Sequence, residues 1–216
     1  MKPLCSDPNT KTKHLEELYG KSACFDLPAG ETCPQANICK AIVRRVKGVR
    51  RMYTYPETEF KCYAAKAELI YPATFEKRRR NYRAVRRGGW EDRMINELES
   101  GKIKILRLHS SGDFFSWSYY RNWINIMTHL SDVKFFAYSK QASFVKWIID
   151  KPMNNFHMVY SHGGLQDEYA KEYDLPTCYV RMPGTEPVAP VICGPGKEAE
   201  DYEWIRAGKS FSLDLH

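Results

Sequence analysis

The fold is decided by a stretch in the middle of the chain that begins Ile103-Lys104-Ile105-Leu106-Arg107-Leu108. This stretch alternates into an apolar strand, and the segment from Trp117 to Leu130 carries apolar residues three and four positions apart, which is typical of a helix. Ser116 stands where it can cap that helix. The pattern then continues with strands over 133–138, 156–160 and 178–182 and helices over 142–149 and 166–173, and a further helix over 90–98 precedes it.

Strands and helices that alternate in this way, with short connections, indicate a parallel sheet flanked by helices. Four such units are too few for a closed eight-stranded barrel. We therefore predict an α/β fold, an open partial βα barrel with a basic, cysteine-containing N-terminal segment. Right-handed crossovers place every loop that follows a strand at one edge of the sheet, and ligands bind at that edge in such folds.

The composition and the hydrophobic pattern exclude several classes of protein. The 216 residues are 43% hydrophobic and 13% aromatic, which excludes global disorder and suits one large domain. No run of about 18 apolar residues predicts a membrane span. The first eight residues lack the apolar core of a signal peptide, so the expected location is the cytoplasm, and no membrane partner is expected.

Positive charge is concentrated in one section. Residues 40–87 hold 15 Lys and Arg against four Asp and Glu, a local net charge of +11 in a chain whose total is +7. A predicted helix in this section mixes arginines with Asn81 and Tyr82, so it can contact phosphates while Tyr82 stacks on a base. A solvated charged face is the alternative interpretation. The predicted nucleic-acid contacts are Arg78, Arg79, Arg80, Arg83, Arg86 and Arg87.

Seven cysteines in a reducing compartment indicate a metal site, a catalytic site or ordinary buried thiols, because an odd number suits a disulfide framework poorly. Three of them lie in turns that contain Gly or Pro, and one stands at the predicted start of a helix, where backbone dipoles favour a thiolate. The predicted metal ligands are Cys33, Cys39, Cys62 and Cys193. The other cysteines, Cys5, Cys24 and Cys178, occupy ordinary positions.

Four thiolates suit zinc and an iron–sulfur cluster equally well by ligand type. The six-residue step from Cys33 to Cys39 does not match the paired CxxC of a zinc ribbon, and it suits the wider sulfur spacing of a cluster. We therefore predict an iron–sulfur cluster of the 4Fe–4S type, with zinc as the alternative metal. The predicted division of the chain is a basic, cysteine-bearing segment (1–89), a βα core (90–184) and a tail that closes the metal site (185–216).

Polar residues follow the predicted strands and define a candidate pocket rim. Asp113 and His109 can bind or polarise a ligand there, or Asp113 can cap the next helix while His109 packs in the core. No P-loop, HExxH or Gly-x-Ser-x-Gly motif is present, which argues against several NTPase, protease and hydrolase classes. The candidate catalytic residues are His109, Ser111, Asp113 and Lys140, and the candidate cofactor-binding residues are Gly112, Asp113, Ser139 and His162.

Several motifs resemble the "gene product 88" family of phages. They are Leu27-Pro28-Ala29-Gly30-Glu31-Thr32-Cys33-Pro34, then Cys39, Cys62-Tyr63-Ala64, Arg107-Leu108-His109-Ser110-Ser111-Gly112-Asp113-Phe114 and Phe135-Phe136-Ala137-Tyr138-Ser139-Lys140. The similarity runs from about residue 25 to 164, and weaker similarity continues at Cys193 and over 210–213. It implies a phage or mobile-element origin and no particular reaction.

A more distant likeness is to radical S-adenosylmethionine enzymes, in which cluster cysteines precede a partial βα barrel. Ser111-Gly112-Asp113 occupies a place comparable to the strand end that holds the methionine part of their cofactor. Those enzymes have three tightly spaced cysteines and one open iron. Here 22 residues separate Cys39 from Cys62, and Cys193 offers a fourth ligand that would close the cluster, so the likeness implies the fold rather than the chemistry.

Three functional hypotheses follow. The first is a phage-type iron–sulfur protein that binds or processes nucleic acid. The second is an enzyme whose cluster keeps an open iron and uses S-adenosylmethionine. The third is a zinc-bound or metal-free interaction module that acts on a host factor.

Overall fold

The computed structural model describes residues 2–192 and 200–214. The strands are β1 (Ser22–Phe25), β2 (Ala41–Val46), β3 (Val49–Thr54), β4 (Ile105–Leu108), β5 (Lys134–Ser139), β6 (Phe156–Ser161), β7 (Thr177–Arg181) and β8 (Phe211–Asp214). The helices are α1 (Thr10–Tyr19), α2 (Tyr63–Ile70), α3 (Pro72–Arg87), α4 (Glu91–Ser100), α5 (Trp117–His129), α6 (Ala142–Asp150), α7 (Asp167–Glu172) and α8 (Glu200–Arg206).

Six of these strands form one sheet in the order β1-β4-β5-β6-β7-β8, and every neighbouring pair in it is parallel. The remaining two strands, β2 and β3, pair with each other as an antiparallel hairpin. Among the described strands the sheet does not close on itself, which confirms the predicted open α/β architecture.

The predicted alternation is confirmed from α4 to β7, with element ends that differ from the prediction by two residues at most. The Ser116 hydroxyl caps α5 by accepting a hydrogen bond from the Tyr119 amide, as predicted. The sheet is nevertheless wider than the predicted core of residues 90–184. It takes the edge strand β1 from the N-terminal segment and the edge strand β8 from the C-terminal segment.

The sheet is covered on both faces. On one face α4, α5 and α6 bury an aromatic core that includes Trp90, Tyr120 and Trp123. On the opposite face, which we call the inner face, α1 and α8 cover Phe136 and Phe211. Because both faces are packed, the exposed loops at the carboxyl ends of the strands are the part of the sheet that is open to a ligand.

A loop over residues 26–40, between β1 and β2, lies across these strand ends, and we call it the cysteine loop. The Leu27 amide donates to the Ser111 carbonyl at 2.9 Å, after β4. Further along, the Ile38 amide donates to the Gly163 carbonyl at 3.3 Å, after β6. The loop therefore crosses the edge of the sheet from β4 to β6.

Gly112 makes this close approach possible. Its φ is +85°, and a Cβ atom built there would lie 2.5 Å from Thr32 Oγ1 and 2.7 Å from Leu27 Cβ. Both of those atoms belong to the cysteine loop. A side chain at position 112 would therefore push the loop away from the strand ends.

We expect Gly112→Ala to destabilise the protein more than Gly88→Ala. Both glycines have positive φ, but the space around Gly88 is open. The difference between the two variants isolates the clash with the cysteine loop and should amount to about 1–3 kcal/mol in the free energy of unfolding. Denaturant titration measures it, and equal losses in the two variants would show that the loop is not docked at Gly112.

Candidate functional site

Three of the predicted ligand cysteines converge beside the strand ends. Cys33, Cys39 and Cys62 are free thiols, and all three are half-buried. Burial raises the pKa of the Cys33 thiol, and Asp113, Cys62 and Cys39 lie close enough to raise it further. Burial likewise raises the pKa of Cys62, with Cys39 as a second cause. Each thiol thus lies within electrostatic reach of another, although they come from separate stretches of chain.

The β2–β3 hairpin explains how Cys39 and Cys62 come together. The amides of Glu59 and Phe60 donate to the Ile38 carbonyl at 2.8 and 3.3 Å, and the Thr58 hydroxyl donates to the Lys40 carbonyl at 2.8 Å. These bonds close the base of the hairpin next to both cysteines. The two ends of the 22-residue segment between these cysteines therefore lie next to each other.

Backbone amides lie near two of the sulfur atoms. Cys62 is the N-cap residue of α2, as the sequence predicted. Its side chain makes no capping hydrogen bond, but the amides of Ala64 and Ala65 lie close enough to its sulfur to lower the pKa of its thiol, against the larger effect of burial. The Gly30 amide does the same for Cys33. Amide-to-sulfur hydrogen bonds stabilise ligating thiolates and tune the clusters that they hold. At both residues these amides favour the thiolate, while burial of the sulfur disfavours it.

The other described cysteines lie elsewhere. Cys5 contacts Met94 Sδ at 3.7 Å, Cys24 lies 3.6 Å from the Thr12 hydroxyl, and Cys178 is buried in the inner-face core. Cys193, the fourth predicted ligand, lies outside the described residues. Within residues 2–192 and 200–214, no three His, Cys, Asp or Glu side chains are arranged to hold a single metal ion.

A buried ion-pair network holds the cysteine loop against α2, α3 and the end of β1. Arg78 on α3 lies 3.2 Å from Glu68 Oε1 on α2 and 3.6 Å from Asp26 Oδ2 at the end of β1. Glu68 Oε1 also accepts the Ala29 amide at 2.8 Å, and Asp26 Oδ1 accepts the Ser111 amide at 3.1 Å. This network joins two helices, two strand ends and the loop that carries Cys33.

Asp113 ties the ends of β4 and β5 together. Its carboxylate accepts hydrogen bonds from the Ser139 hydroxyl at 2.7 Å, the Lys140 amide at 2.9 Å and its neighbour's amide at 2.7 Å. The Lys140 ammonium donates to the carbonyls of Ser161 and His162 after β6. The structure therefore brings Asp113, Ser139 and Lys140 together, and their polar groups are engaged in joining three strand ends.

The remaining rim residues have separate surroundings. His109 is buried, has a φ of +61°, places Nε2 2.8 Å from the Tyr119 hydroxyl and packs its ring against Phe114. The Ser111 hydroxyl donates to the Leu27 carbonyl at 2.8 Å. His162 is exposed and lies 3.4 Å from Asp167. A catalytic role for these residues remains a prediction, and their contacts are those of structural residues.

The predicted arginines divide into two groups. Arg78 is buried in the network described above and does not face solvent, and Arg80 donates to the Pro3 carbonyl at 3.0 Å. The others lie on one face of α3, which we call the arginine face, and with Glu31 and Tyr82 they line an open groove of about 470 Å³. The arginines of this face are Arg79, Arg83, Arg86 and Arg87.

Sequence reasoning missed three charged residues that the structure makes important: Asp26, Glu68 and Arg107. All three are buried. Arg107 is the one charged residue in the apolar run 105–108, and that isolation is a signal that could have drawn attention to it. Asp26 and Glu68 carry no local signal, because their partner Arg78 is distant in sequence.

Fold and site together define an α/β protein with a group of thiols at the carboxyl edge of a parallel sheet. The chain belongs to the gene product 88 family, whose profile matches residues 4–199. It is 25% identical over 163 residues to the "Gene 88 protein" of Mycobacterium phage D29 and 24% identical to that of Mycobacterium phage L5. Each match covers 69% of this chain but only 60% and 61% of the relatives' own length.

No solved structure matches the chain. In the described residues, none of the helices is sufficiently long and apolar to cross a lipid bilayer.

We expect His109 to make stability depend on pH. Burial lowers the pKa of this histidine from 6.5 to about 3, so the folded protein keeps it neutral while the unfolded chain protonates it below pH 6.5. Stability from this group is complete above pH 6.5 and falls as the pH drops toward 3, by about 1.4 kcal/mol per pH unit.

His109→Asn should flatten this dependence between pH 6.5 and 4 in denaturant titrations, relative to values from the unsubstituted protein. Asparagine tolerates the left-handed backbone at this position. The control is His129→Asn, at an exposed position on α5. An unchanged slope in His109→Asn would contradict the assignment of a neutral buried histidine.

Proposed function

We propose that this protein is a phage iron–sulfur protein that holds a cluster on Cys33, Cys39 and Cys62 and binds nucleic acid along its arginine face. The observation that carries the proposal is the convergence of three free, half-buried thiols from separate stretches of chain. Thiolates are the usual protein ligands of iron–sulfur clusters.

A cluster suits this donor set better than a single zinc ion does. Zinc–sulfur bonds of about 2.3 Å bring the thiolates of one ion to within ~3.8 Å of each other. The described residues contain no group of three ligands in that compact arrangement. A cluster spreads its ligands over several iron atoms and tolerates wider separations between the sulfur atoms.

The charges around the thiols also suit an anionic cluster. Arg78 lowers the pKa of Cys62, so its guanidinium acts on that sulfur. A fixed cation stabilises thiolates and the negative charge of a cluster, and the amide donors described above act in the same direction. Arg78 and the amides therefore oppose burial and the Asp113 carboxylate, which raise the pKa of these thiols.

The proposal predicts a loss of iron when any one of the three cysteines is replaced. Protein purified or reconstituted without oxygen should contain about four iron and four sulfide per chain. Cys33→Ser, Cys39→Ser and Cys62→Ser should each lose most of both, while the control Cys5→Ser, at another half-buried cysteine, should retain them. Stoichiometric zinc without iron, or equal iron in Cys5→Ser and Cys62→Ser, would contradict the cluster.

A second candidate function is an enzyme whose cluster keeps one iron open to S-adenosylmethionine. One support is that three thiols follow the first strand of a parallel sheet and lie beside the Ser111-Gly112-Asp113 strand end. A second is that the base of the hairpin is closed, so the wide sequence spacing between Cys39 and Cys62 does not separate them in the structure. Cys193→Ser distinguishes the two forms. A retained cluster that binds S-adenosylmethionine supports the open iron, and loss of the cluster supports closure by four thiolates.

The arginine face supports contact with nucleic acid. Arg79, Arg83, Arg86 and Arg87 recur at the spacing that places residues on one side of a helix, and Tyr82 lies among them in the groove. Glu31 lines the same groove and accepts a salt bridge from Arg79 at 2.9 Å. Because Glu31 belongs to the cysteine loop, a strand of nucleic acid in the groove would lie beside the proposed cluster.

We expect the triple variant Arg83→Ala, Arg86→Ala, Arg87→Ala to bind DNA more weakly and with a smaller salt dependence. The slope of log K against log salt should fall by about 0.9 for each lost phosphate contact on duplex DNA and about 0.7 on single strands. The control is Lys102→Ala, Lys151→Ala, Lys171→Ala, which removes the same charge at exposed positions elsewhere. Equal effects of the two triple variants would show that the arginine face is not the binding surface.

A further inference from the structure

The β2–β3 hairpin carries a second concentration of positive charge, apart from the arginine face. Residues 41–54 contain four arginines, one lysine and no acidic residue, a net charge of +5. The turn at the tip is Lys47-Gly48, and the φ angles of both residues are positive, at +47° and +81°. Two such residues form the tight turn that matches the natural twist of two paired strands. The hairpin is therefore a regular, strongly basic β-ribbon.

One pair of arginines in the hairpin is neutralised from within the chain. Arg45 lies opposite Arg50, on the side of the hairpin whose Val43 packs in the core with α2 and α3. Arg45 forms a salt bridge with Glu76 at 2.6 Å, and Arg50 donates a hydrogen bond to the Leu69 carbonyl at 3.1 Å. These two guanidinium groups therefore need no partner from outside.

The other pair of arginines has no such compensation. Arg44 lies opposite Arg51, and because side chains alternate along a strand, both point away from α2 and α3. Both are exposed, and within residues 2–192 and 200–214 neither forms a salt bridge or a hydrogen bond. Like charges directly opposite each other destabilise a strand pair. An anionic partner bound at this side would remove that repulsion.

The exposed side of the hairpin also carries apolar and aromatic surface. We call it the ribbon face, and its residues are Arg44, Val46, Val49, Arg51 and Tyr53. Val49 is 58% exposed and Tyr53 is 45% exposed. Nucleic acids combine phosphate charge with bases, whose edges and methyl groups accept apolar contacts. The ribbon face matches both properties.

A membrane surface fits the ribbon face less well. Segments that lie in a lipid interface bury Trp, Phe and Leu between their basic residues. The tip of this hairpin exposes only the pair Val46 and Val49, and the aromatic Tyr53 lies four residues from Val49, toward the base. Nucleic acid is therefore the partner that the residues favour.

The hairpin lies next to the groove of the arginine face. Arg79, which lines that groove, donates to the Val43 carbonyl on β2 at 2.8 Å. Two residues further along β2, Arg45 contacts Glu76, which precedes Arg79 on α3. The hairpin therefore extends past the beginning of α3, while the arginine face continues toward the end of the same helix. A nucleic acid in the groove would pass the base of the hairpin.

We propose that the β2–β3 hairpin enters the major groove of double-stranded DNA, with Arg44 and Arg51 as its anchoring contacts. That groove is about 12 Å wide and admits a two-stranded ribbon. The major groove of duplex RNA is too deep and narrow for side chains to enter. This inference rests on the proposed function for its class of partner, and it adds a second surface and the form of the nucleic acid.

The double variant Arg44→Thr, Arg51→Thr tests the hairpin. Threonine suits strands and pairs well across them, so thermal unfolding should show a Tm that is unchanged or raised. The affinity for a short DNA duplex should fall about tenfold or more, and the slope of log K against log salt should fall by about 1.8. The affinity for an RNA duplex of the same sequence should change little.

Two further variants accompany this test. Arg121→Ala, Lys171→Ala removes the same charge at exposed positions on other helices and should leave both affinities within about twofold. Arg44→Glu turns the like-charge pair into an opposite-charge pair, so it should keep the hairpin folded and weaken DNA binding at least as much as the double variant.

A loss in the double variant no larger than in the exposed control would overturn the hairpin contact. Equal losses on DNA and RNA duplexes would overturn the placement in the major groove. Vesicles that contain phosphatidylserine provide the lipid comparison, and binding to them that depends on Arg44 and Arg51, without binding to DNA, would overturn the choice of partner.

The triple variant of the arginine face separates this inference from the proposed function. If only that variant weakens DNA binding, the hairpin inference fails and the arginine face stands. If only the hairpin variants weaken it, the hairpin stands and the arginine face fails. No binding of the unsubstituted protein to any nucleic acid would overturn both.

Discussion

The burial of the Arg78 guanidinium against two carboxylates is the constraint on which the cysteine loop depends. Glu68 and Asp26 come from α2 and from the end of β1, and both also accept backbone amides from the segments that surround the thiols. A buried ion pair adds little net stability compared with apolar packing, yet the loss of one partner is costly. The network therefore fixes the positions of α2, α3 and the strand ends relative to one another. Because Cys62 begins α2 and Cys33 lies in the loop that the network holds, it also positions these two cysteines.

The sequence was most informative where periodicity is long and clear. From Trp90 to Cys178 the alternation of strand and helix predicted every element, because each amphipathic helix packs its apolar face on a strand that is largely apolar. The edge strands β1 and β8 could not be predicted in the same way. Each has only four residues; β1 pairs with β4 across the intervening hairpin and helices, and β8 pairs with β7 only after the long segment that follows β7.

The candidate site was predictable in its residue types and less so in its contacts. Loop composition and the helix start at Cys62 indicated where thiols would lie, and Cys33, Cys39 and Cys62 lie within electrostatic reach of one another. Local sequence gave no sign that Arg78 would turn inward while its neighbours face solvent. It also gave no sign that Asp113 would accept three hydrogen bonds, since Ser139 and Lys140 reach it only after the sheet has formed.

The hairpin between Cys39 and Cys62 has an evolutionary consequence. Among the strands that the structure describes, its two strands pair with no others, and its base is closed by bonds to Ile38 and Lys40. Lengthening such an excursion costs little closure entropy, and shortening it leaves the base unchanged. Residues can therefore be gained or lost at the tip of the hairpin, around Gly48, without disturbing the core that its base forms with α2 beside Cys62, and the interval between the second and third cysteines can change there.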